Sequence, residues 1–452
     1  MRRVRAASVL FGGYQHPTQM IAVGFGLAIF VGTLLLSLPA ATAEGQTTTW
    51  LTALWTATAS VSLTGLIIVD TPTHWSVFGE VVIIGLVQIG GLGIMTLATV
   101  FTVLVSGRLG LRARLFAQAE TKTPTMADMR KVVRKVVVFS LVCEAVAAVM
   151  FTARFMIGYG ESLGRALYLG VFHGISAFNN AGFALWSDNI MGFVGDPWIC
   201  LTFSAAVIVG GLGFPVVFEL LRSWRHPGRW SVLTRITVYA TLILLVLGTL
   251  VYLATEWRNP GTLGRLDEPT RVLAAFFLSA MVRTAGFNSV DTGALHPSSW
   301  LLSDVMMFIG GGSAGTAGGI KVTTLGLLAF VIWSELRGEP KVNVGHRQVP
   351  EAAQRQAVVV TVMSAALVAF CTYVLLVLTP LNLDRVLFEV IAAFSTAGLT
   401  TGITNDIPPA GHLLLIMLMF VGRIGPLTIG SALALKERAR RYELPEERMI
   451  VG

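Results

Sequence analysis

Four short runs in this chain could hold a dehydrated monovalent cation: Ser62-Leu63-Thr64-Gly65, Asn179-Asn180-Ala181-Gly182, Arg283-Thr284-Ala285-Gly286 and Ser395-Thr396-Ala397-Gly398, each followed by a leucine or phenylalanine. The chemistry would be coordination by backbone carbonyls, which replace an ion's hydration shell when they line a narrow passage. Glycine suits such a strand because it takes dihedrals that a side chain forbids. The glycines fall 117, 104 and 112 residues apart, about a quarter of the 452-residue chain each time. A lone motif of this kind would read as a close-packing glycine in a membrane helix. Four in register, each behind a short helix, point to a filter ring instead. Only the first glycine follows a threonine, and no run ends in Gly-Tyr-Gly, so fewer stacked ion sites are expected.

No comparable case exists for bond-making chemistry. Asn179, Asn180 and His173 have no nucleophile or acid-base pair beside them and fit a polar shell around the second strand. Cys143, Cys200 and Cys371 stand apart in apolar stretches, without metal spacing or a disulfide framework, and read as packing residues. The glycines from Gly310 to Gly319 follow an apolar helix and not a strand, so they are no nucleotide fingerprint. With no Walker motif either, the chain reads as neither an enzyme nor an ATP-driven pump, and no organic cofactor is expected on it.

The elements around the glycines repeat too. Before each lies a semi-apolar stretch of about four turns, such as Leu167 to Phe178 or Val386 to Phe394, too short to cross a bilayer and suited to a re-entrant helix. After each come a polar connector and a long apolar segment with a glycine cluster: Gly90-Gly91-Leu92-Gly93, Gly210-Gly211-Leu212-Gly213, Gly310-Gly311-Gly312 and Gly422-Arg423-Ile424-Gly425. The expected fold is an all-α membrane protein of four tandem helix, pore-loop, helix repeats in pseudo-fourfold arrangement around a central pore. The divisions fall at 1–110, 111–225, 226–340 and 341–452.

Composition agrees. Hydrophobic residues make up 54% of the chain and charged residues 13%, with mean hydropathy +0.72. Apolar runs such as Met20 to Leu38, Val136 to Ile157, Val238 to Ala254 and Val358 to Leu378 make the membrane the body of the protein. Arg2, Arg3 and Arg5 before the first run, with Ala41-Thr42-Ala43 after it, resemble a cleaved signal, but the run is long for one and the repeat pattern needs it. The net charge of +8 comes from connectors after the glycine-cluster segments, from Arg108 to Lys135, Arg222 to Arg235 and Arg337 to Arg355, and from the tail from Lys436 to Arg448. Positive-inside orientation explains these without a nucleic acid partner. The opposite connectors carry Asp70, Asp188, Asp291 and other acids, so the glycine strands open outward.

At these residues the chain resembles the Trk/Ktr/HKT superfamily of potassium transporters, and within it the Ktr-type membrane subunits. The most specific parts are Ser-Leu-Thr-Gly-Leu at Ser62, Arg-Thr-Ala-Gly-Phe-Asn-Ser at Arg283, Ala-Phe-Ser-Thr-Ala-Gly-Leu ending at Leu399, and the segment from Gly310 to Thr324. The resemblance implies potassium uptake through a bacterial cytoplasmic membrane, with sodium assistance left open. Glycine at the first strand, where some relatives have serine, agrees with the more potassium-selective members. It also implies a homodimer and a separate cytoplasmic RCK-type nucleotide-binding ring (KtrA-like). The basic connector from Arg108 to Lys135 and the tail from Lys436 to Gly452 are candidate docking surfaces for that ring.

By sequence, the run Gly310, Gly311, Gly312, Ser313, Ala314, Gly315, Thr316, Ala317, Gly318, Gly319 is too flexible and polar for a continuous helix and is a hinge candidate. The resemblance implies an intramembrane gating loop there, obstructing the inner cavity. Lys321 would screen the ion path, or reach a carbonyl or the cytoplasmic interface. Arg423, a cation inside a membrane segment, is a functional-site hypothesis by default; in the family an arginine in this context sets a barrier beneath the filter, and the alternative is a salt bridge to Glu389 or Asp304. Arg283 would donate to carbonyls or a carboxylate behind the filter. The rival class is a secondary transporter with a midplane solute site, which predicts inverted repeats; here the four units share one orientation.

Overall fold

Backbone polar groups in lipid have no partner but each other, so the long apolar runs fold as helices. A computed structural model describes residues 17–105, 126–313, 315–344 and 347–425. The basic residues from Arg108 to Lys122, the amino-terminal arginines, the tail from Lys436 and Ala314 of the glycine-rich run lie outside the described residues.

The first quarter holds α1 (Pro17–Leu36), α2 (Trp50–Ser62), a single turn α3 (Thr71–His74) and α4 (Val77–Val105). The second holds α5 (Met126–Tyr159), α6 (Leu163–Phe178), α7 (Pro197–Leu212) and α8 (Phe214–Ser223). The third runs α9 (Val232–Glu256), α10 (Glu268–Met281), α11 (Pro297–Phe308) and α12 (Val322–Leu336); a small hairpin of β1 (Asn343–Val344) and β2 (Arg347–Gln348) leads to α13 (Glu351–Leu378), α14 (Leu383–Phe394) and α15 (Pro409–Ile424).

Local chemistry sets the helix starts. Ser162 and Ser231 cap α6 and α9 by accepting from Arg165 N and Thr234 N, and Asp196 accepts from Trp198 N and Ile199 N at the head of α7. Pro197, Pro297 and Pro409 stand at the first helical turn, where a missing N–H costs nothing.

The segments Val133–Tyr159, Val232–Glu256 and Glu351–Leu378 are long and apolar enough to span a bilayer. Their apolar side chains face outward: Leu141, Val146 and Val149 on α5, Ile243, Val246 and Leu250 on α9, and Val362, Phe370 and Tyr373 on α13 are exposed. The interior is the more polar side, with Ser60, Ser62, His173, Ser176, Ser279, Glu389 and Ser395 fully or almost fully buried. That inversion is what a lipid solvent demands, and the chain is an integral, multi-pass membrane protein.

Helices α2, α6, α10 and α14 have 13, 16, 14 and 12 residues. At 1.5 Å per residue each is about 18–24 Å long, short of the roughly 30 Å hydrocarbon core.

A break was expected only at the glycine-rich run of the third quarter, and the backbone also breaks in the other three. Gly93 interrupts α4 with φ 47° and ψ −167°, Gly213 sets a 102° bend between α7 and α8, and Gly425 ends α15 with φ 91°. The glycines just before these breaks serve packing. A side chain at Gly90, Gly210 or Gly422 would run into the carbonyl of Val61, Phe178 or Phe394, the last or next-to-last residue of α2, α6 and α14.

Candidate functional site

Each short helix ends on the same backbone turn. Gly65, Gly182, Gly286 and Gly398 have φ of 73°, 74°, 73° and 74°, and two residues earlier Leu63, Asn180, Thr284 and Thr396 have φ of 58°, 55°, 80° and 52°. Positive φ is uncommon for residues with a Cβ. Its recurrence at one position in four strands marks an imposed geometry and not a local accident.

The four strands meet. A Cβ built on Gly65 would collide with the Ala181 carbonyl, and one on Gly182 would lie 3.1 Å from Ala285 O. One on Gly286 would lie 3.2 Å from Ala397 O, and one on Gly398 would strike Thr64 O. Each glycine thus faces the carbonyl that precedes the glycine of the next strand, and the fourth closes on the first. A side chain at Gly65 or Gly398 would strike a backbone oxygen, and at all four positions the positive φ disfavours one.

Side chains on the short helices brace the strands. Trp55 Nε1 donates to Leu66 O at 2.8 Å, Ser176 Oγ donates to Phe183 O at 2.8 Å, and Ser62 Oγ lies 2.7 Å from Thr64 Oγ1. His173 has Nδ1 at 2.7 Å from Leu169 O and Nε2 accepting from Leu185 N at 3.1 Å, and its ring stacks on Trp186, centroids 4.1 Å apart. The polar shell expected around the second strand is therefore present. Glu389 on α14 accepts from Thr400 at 2.9 Å and from Thr404 beyond the fourth strand.

All four glycines open into one cavity of about 210 Å³, whose wall includes Asp70, Asp188 and Asp291 and no lysine or arginine. At its back the carboxyl ends of the four short helices converge, and helix carboxyl termini carry partial negative charge. The arrangement attracts cations and repels anions.

Against the other side of the strands lies the glycine-rich run between α11 and α12. Gly310 N donates to Ile320 O at 2.8 Å and Val322 N to Gly311 O at 3.0 Å, which closes the run into a loop. Gly312 N and Thr316 N donate to Gly211 O and Gly210 O of α7 at 2.7 and 3.2 Å. Thr316 Oγ1 reaches Asn180 Oδ1 at 3.1 Å, and Gly318 backs onto Ser395 and Thr396. Ser313 Oγ lies 2.8 Å from Thr323 Oγ1.

Three buried or half-buried cations join this loop. Arg283 donates to Gly310 O at 3.4 Å and to Thr241 Oγ1 at 3.3 Å. Lys321 Nζ donates to Ala317 O at 2.5 Å, the carbonyl alternative among those expected of it. Arg423 donates to Thr316 O and, at 3.0 Å, to Gly90 O. The salt bridge to Glu389 or Asp304 is not formed, since among the described residues the ion pairs are Arg154 with Asp196 and Arg355 with Glu351. Among the described residues no group of three or more His, Cys, Asp or Glu side chains is placed to hold a metal ion.

Two features of the site escape the sequence. The positive-φ residue before each glycine has no common side chain to announce it. Glu144, in the middle of α5, goes unflagged although the rule that singles out Arg423 applies to it equally.

Residues 12–439 match the model of the TrkH family, described as cation transport protein. The chain is 38% identical over 437 residues to Ktr system potassium uptake protein B of Bacillus subtilis (strain 168), covering 96% of this chain and 97% of that protein. It is 32% identical over 442 residues to potassium/sodium uptake protein NtpJ of Enterococcus hirae, with the same coverage. The crystal structure of the potassium transporter TrkH from Vibrio parahaemolyticus superposes with a TM-score of 0.71 at 19% identity, over 91% of this chain and 85% of that one, which establishes the shared fold. A family model spanning nearly the whole chain, two long alignments above 30% identity and this fold place it together: the chain belongs to the TrkH cation transport protein family.

Proposed function

We propose that this chain is the ion-translocating subunit of a Ktr/Trk-type potassium uptake system in a bacterial cytoplasmic membrane. Four helix, pore-loop, helix repeats surround a central pore, and the residues from Ser62 to Gly65, Asn179 to Gly182, Arg283 to Gly286 and Ser395 to Gly398 form its selectivity filter. The observation that carries this reading is the closed cycle in which each glycine faces the preceding carbonyl of the next strand. A ring of backbone oxygens beneath an acidic mouth suits a dehydrated monovalent cation. The names of the relatives, potassium uptake and potassium/sodium uptake proteins, support potassium as cargo and motivate a test for sodium assistance.

The loop from Gly310 to Thr324, with Lys321 and Arg423, is the gate. Its hydrogen bonds to the second and third filter strands, to α7 and to Arg423 set it across the inner side of the filter. Three positive side chains there oppose a cation leaving the filter, so conduction requires the loop to move. Release is assigned to a cytoplasmic nucleotide-binding ring acting on a homodimer of this chain.

Uptake of rubidium as a potassium tracer into proteoliposomes, with and without sodium, tests the reading. The intact chain takes up rubidium selectively, and Gly65→Ser, which crowds Ala181 O, weakens uptake or admits sodium. Absence of cation uptake even with a cytoplasmic ring supplied would overturn the proposal in favour of a solute transporter.

A further inference from the structure

The residue three before each filter glycine is Ser62, Asn179, Arg283 or Ser395. Behind the second of these stands a buried carboxylate. Glu144 on α5 is 4% exposed and takes part in no ion pair among the described residues. Gln88 Nε2 on α4 donates to both of its oxygens, at 3.0 and 3.1 Å, and Asn179 Nδ2 donates to Oε1 at 3.1 Å. Asn179 Nδ2 also reaches Gln88 Oε1 at 3.2 Å and Ile175 O at 2.9 Å, so the three side chains form a closed triangle. Within it Glu144 accepts from both amides.

The packing is built to bring these groups together. Gly170 and Gly174 of α6 let that helix press on the α5 backbone, where a Cβ at Gly174 would come within 2.9 Å of Glu144 O and Ala148 N. A side chain at Gly91 would occupy the space of the Asn179 amide. Three elements therefore leave room for one acid directly behind a filter strand.

We infer that Glu144 is a specificity- and affinity-setting residue, a fixed negative charge that raises cation occupancy of the filter from behind the second strand and offsets Arg283 behind the third. The inference rests on the filter reading above. A glutamine would still offer Asn179 an oxygen without the cost of burying a charge, with the Gln88 amide turned to accept from its nitrogen. What the carboxylate adds is its field, which in a low-dielectric wall extends to an ion on the neighbouring carbonyls. Glu144 touches no permeant ion and acts through the strand.

Rubidium uptake kinetics in proteoliposomes test this with two full-length variants, Glu144→Gln and the swap Gln88→Glu/Glu144→Gln. Removing the charge raises KM by about tenfold, while the maximal rate and the melting temperature in detergent stay near those of the intact chain. The swap restores one carboxylate within the same triangle and brings KM back down. The proposal is overturned if Glu144→Gln leaves KM unchanged, or if it impairs uptake and the swap fails to rescue, which would make the carboxylate a structural brace. Absence of uptake by the intact chain would instead sink the filter reading on which the inference rests.

Discussion

At the scale of single residues, the four strand glycines combine a positive φ with a close neighbouring strand, which an open helix glycine does not. At Gly398 a methyl group would meet the Thr64 carbonyl with φ at 74°, whereas at Gly24 in α1 nothing lies within 4 Å. Left-handed backbone costs an alanine about 1–2 kcal/mol, little against the stability of a whole chain. The larger effect of Gly398→Ala is displacement of the Thr64 oxygen from the ring. Uptake of rubidium by Gly398→Ala is therefore expected to fall at least about tenfold, a 1.4 kcal/mol effect, with the protein still folded, while Gly24→Ala transports normally; equal rates for the two would show that the ring does not need its close contacts. The glycines were legible because only one residue type satisfies that geometry. Leu63, Asn180, Thr284 and Thr396 were not, because tertiary contacts force an apolar, an amide and two hydroxyl side chains into one backbone conformation. Asn180 Nδ2, Thr284 Oγ1 and Thr396 Oγ1 have no hydrogen-bond partner among the described residues, which fits strands whose side chains are placed by the backbone and not the reverse.

Among the elements, the short helices were readable from length alone, since 12 to 16 residues cannot span a bilayer. Of the glycine clusters that follow them only the third was expected to break its helix, and the structure shows both packing and bending within the first, second and fourth. Gly90, Gly210 and Gly422 admit a neighbouring carbonyl, and Gly93, Gly213 and Gly425 take the positive φ at the break. Sequence separates the third cluster from the others only by its extra glycines, which lengthen a single break into the loop from Ile309 to Ile320. That loop is held by partners from three different quarters of the chain: it donates to Gly210 O, Gly211 O and Asn180 Oδ1 and accepts from Arg283 and Arg423. Deleting residues 312–318 removes Thr316 and with it the ties to Asn180 and Arg423. The expected result is faster rubidium flux than in the intact chain, without a cytoplasmic ring to trigger it. Flux no higher than that of the intact chain would mean that the loop is a structural strap and not a gate.

For the molecule as a whole, what the sequence could not supply was the closure of distant quarters on one another, since Gly398 facing Thr64 depends on every helix between them. The same holds for the clasp at the acidic side, where the end of α5 meets the start of α7. Arg154 Nε and Tyr159 Oη donate to Asp196 Oδ2 at 2.7 and 2.9 Å, while Trp198 N and Ile199 N donate to Oδ1 at 3.0 and 3.3 Å. Burial pushes the Asp196 carboxyl up, but these hydrogen bonds, Arg154 first, outweigh it and hold the group below its ordinary value of 3.8. The folded chain therefore binds this proton more weakly than the unfolded chain does. Stability from the clasp is complete above the ordinary carboxylate range and is lost as pH falls through the lower, folded value. Arg154 remains 32% exposed, so solvent screening limits the contribution to ~1 kcal/mol. Asp196→Asn should lower the melting temperature in detergent at pH 7 by ~1–2 °C. The difference from the intact chain should shrink as pH falls below the ordinary value of 3.8 toward the lower, folded one, because the unfolded carboxylate takes up its proton first. Melting curves that stay parallel across that window would show that the clasp holds the two helices by shape and not by charge.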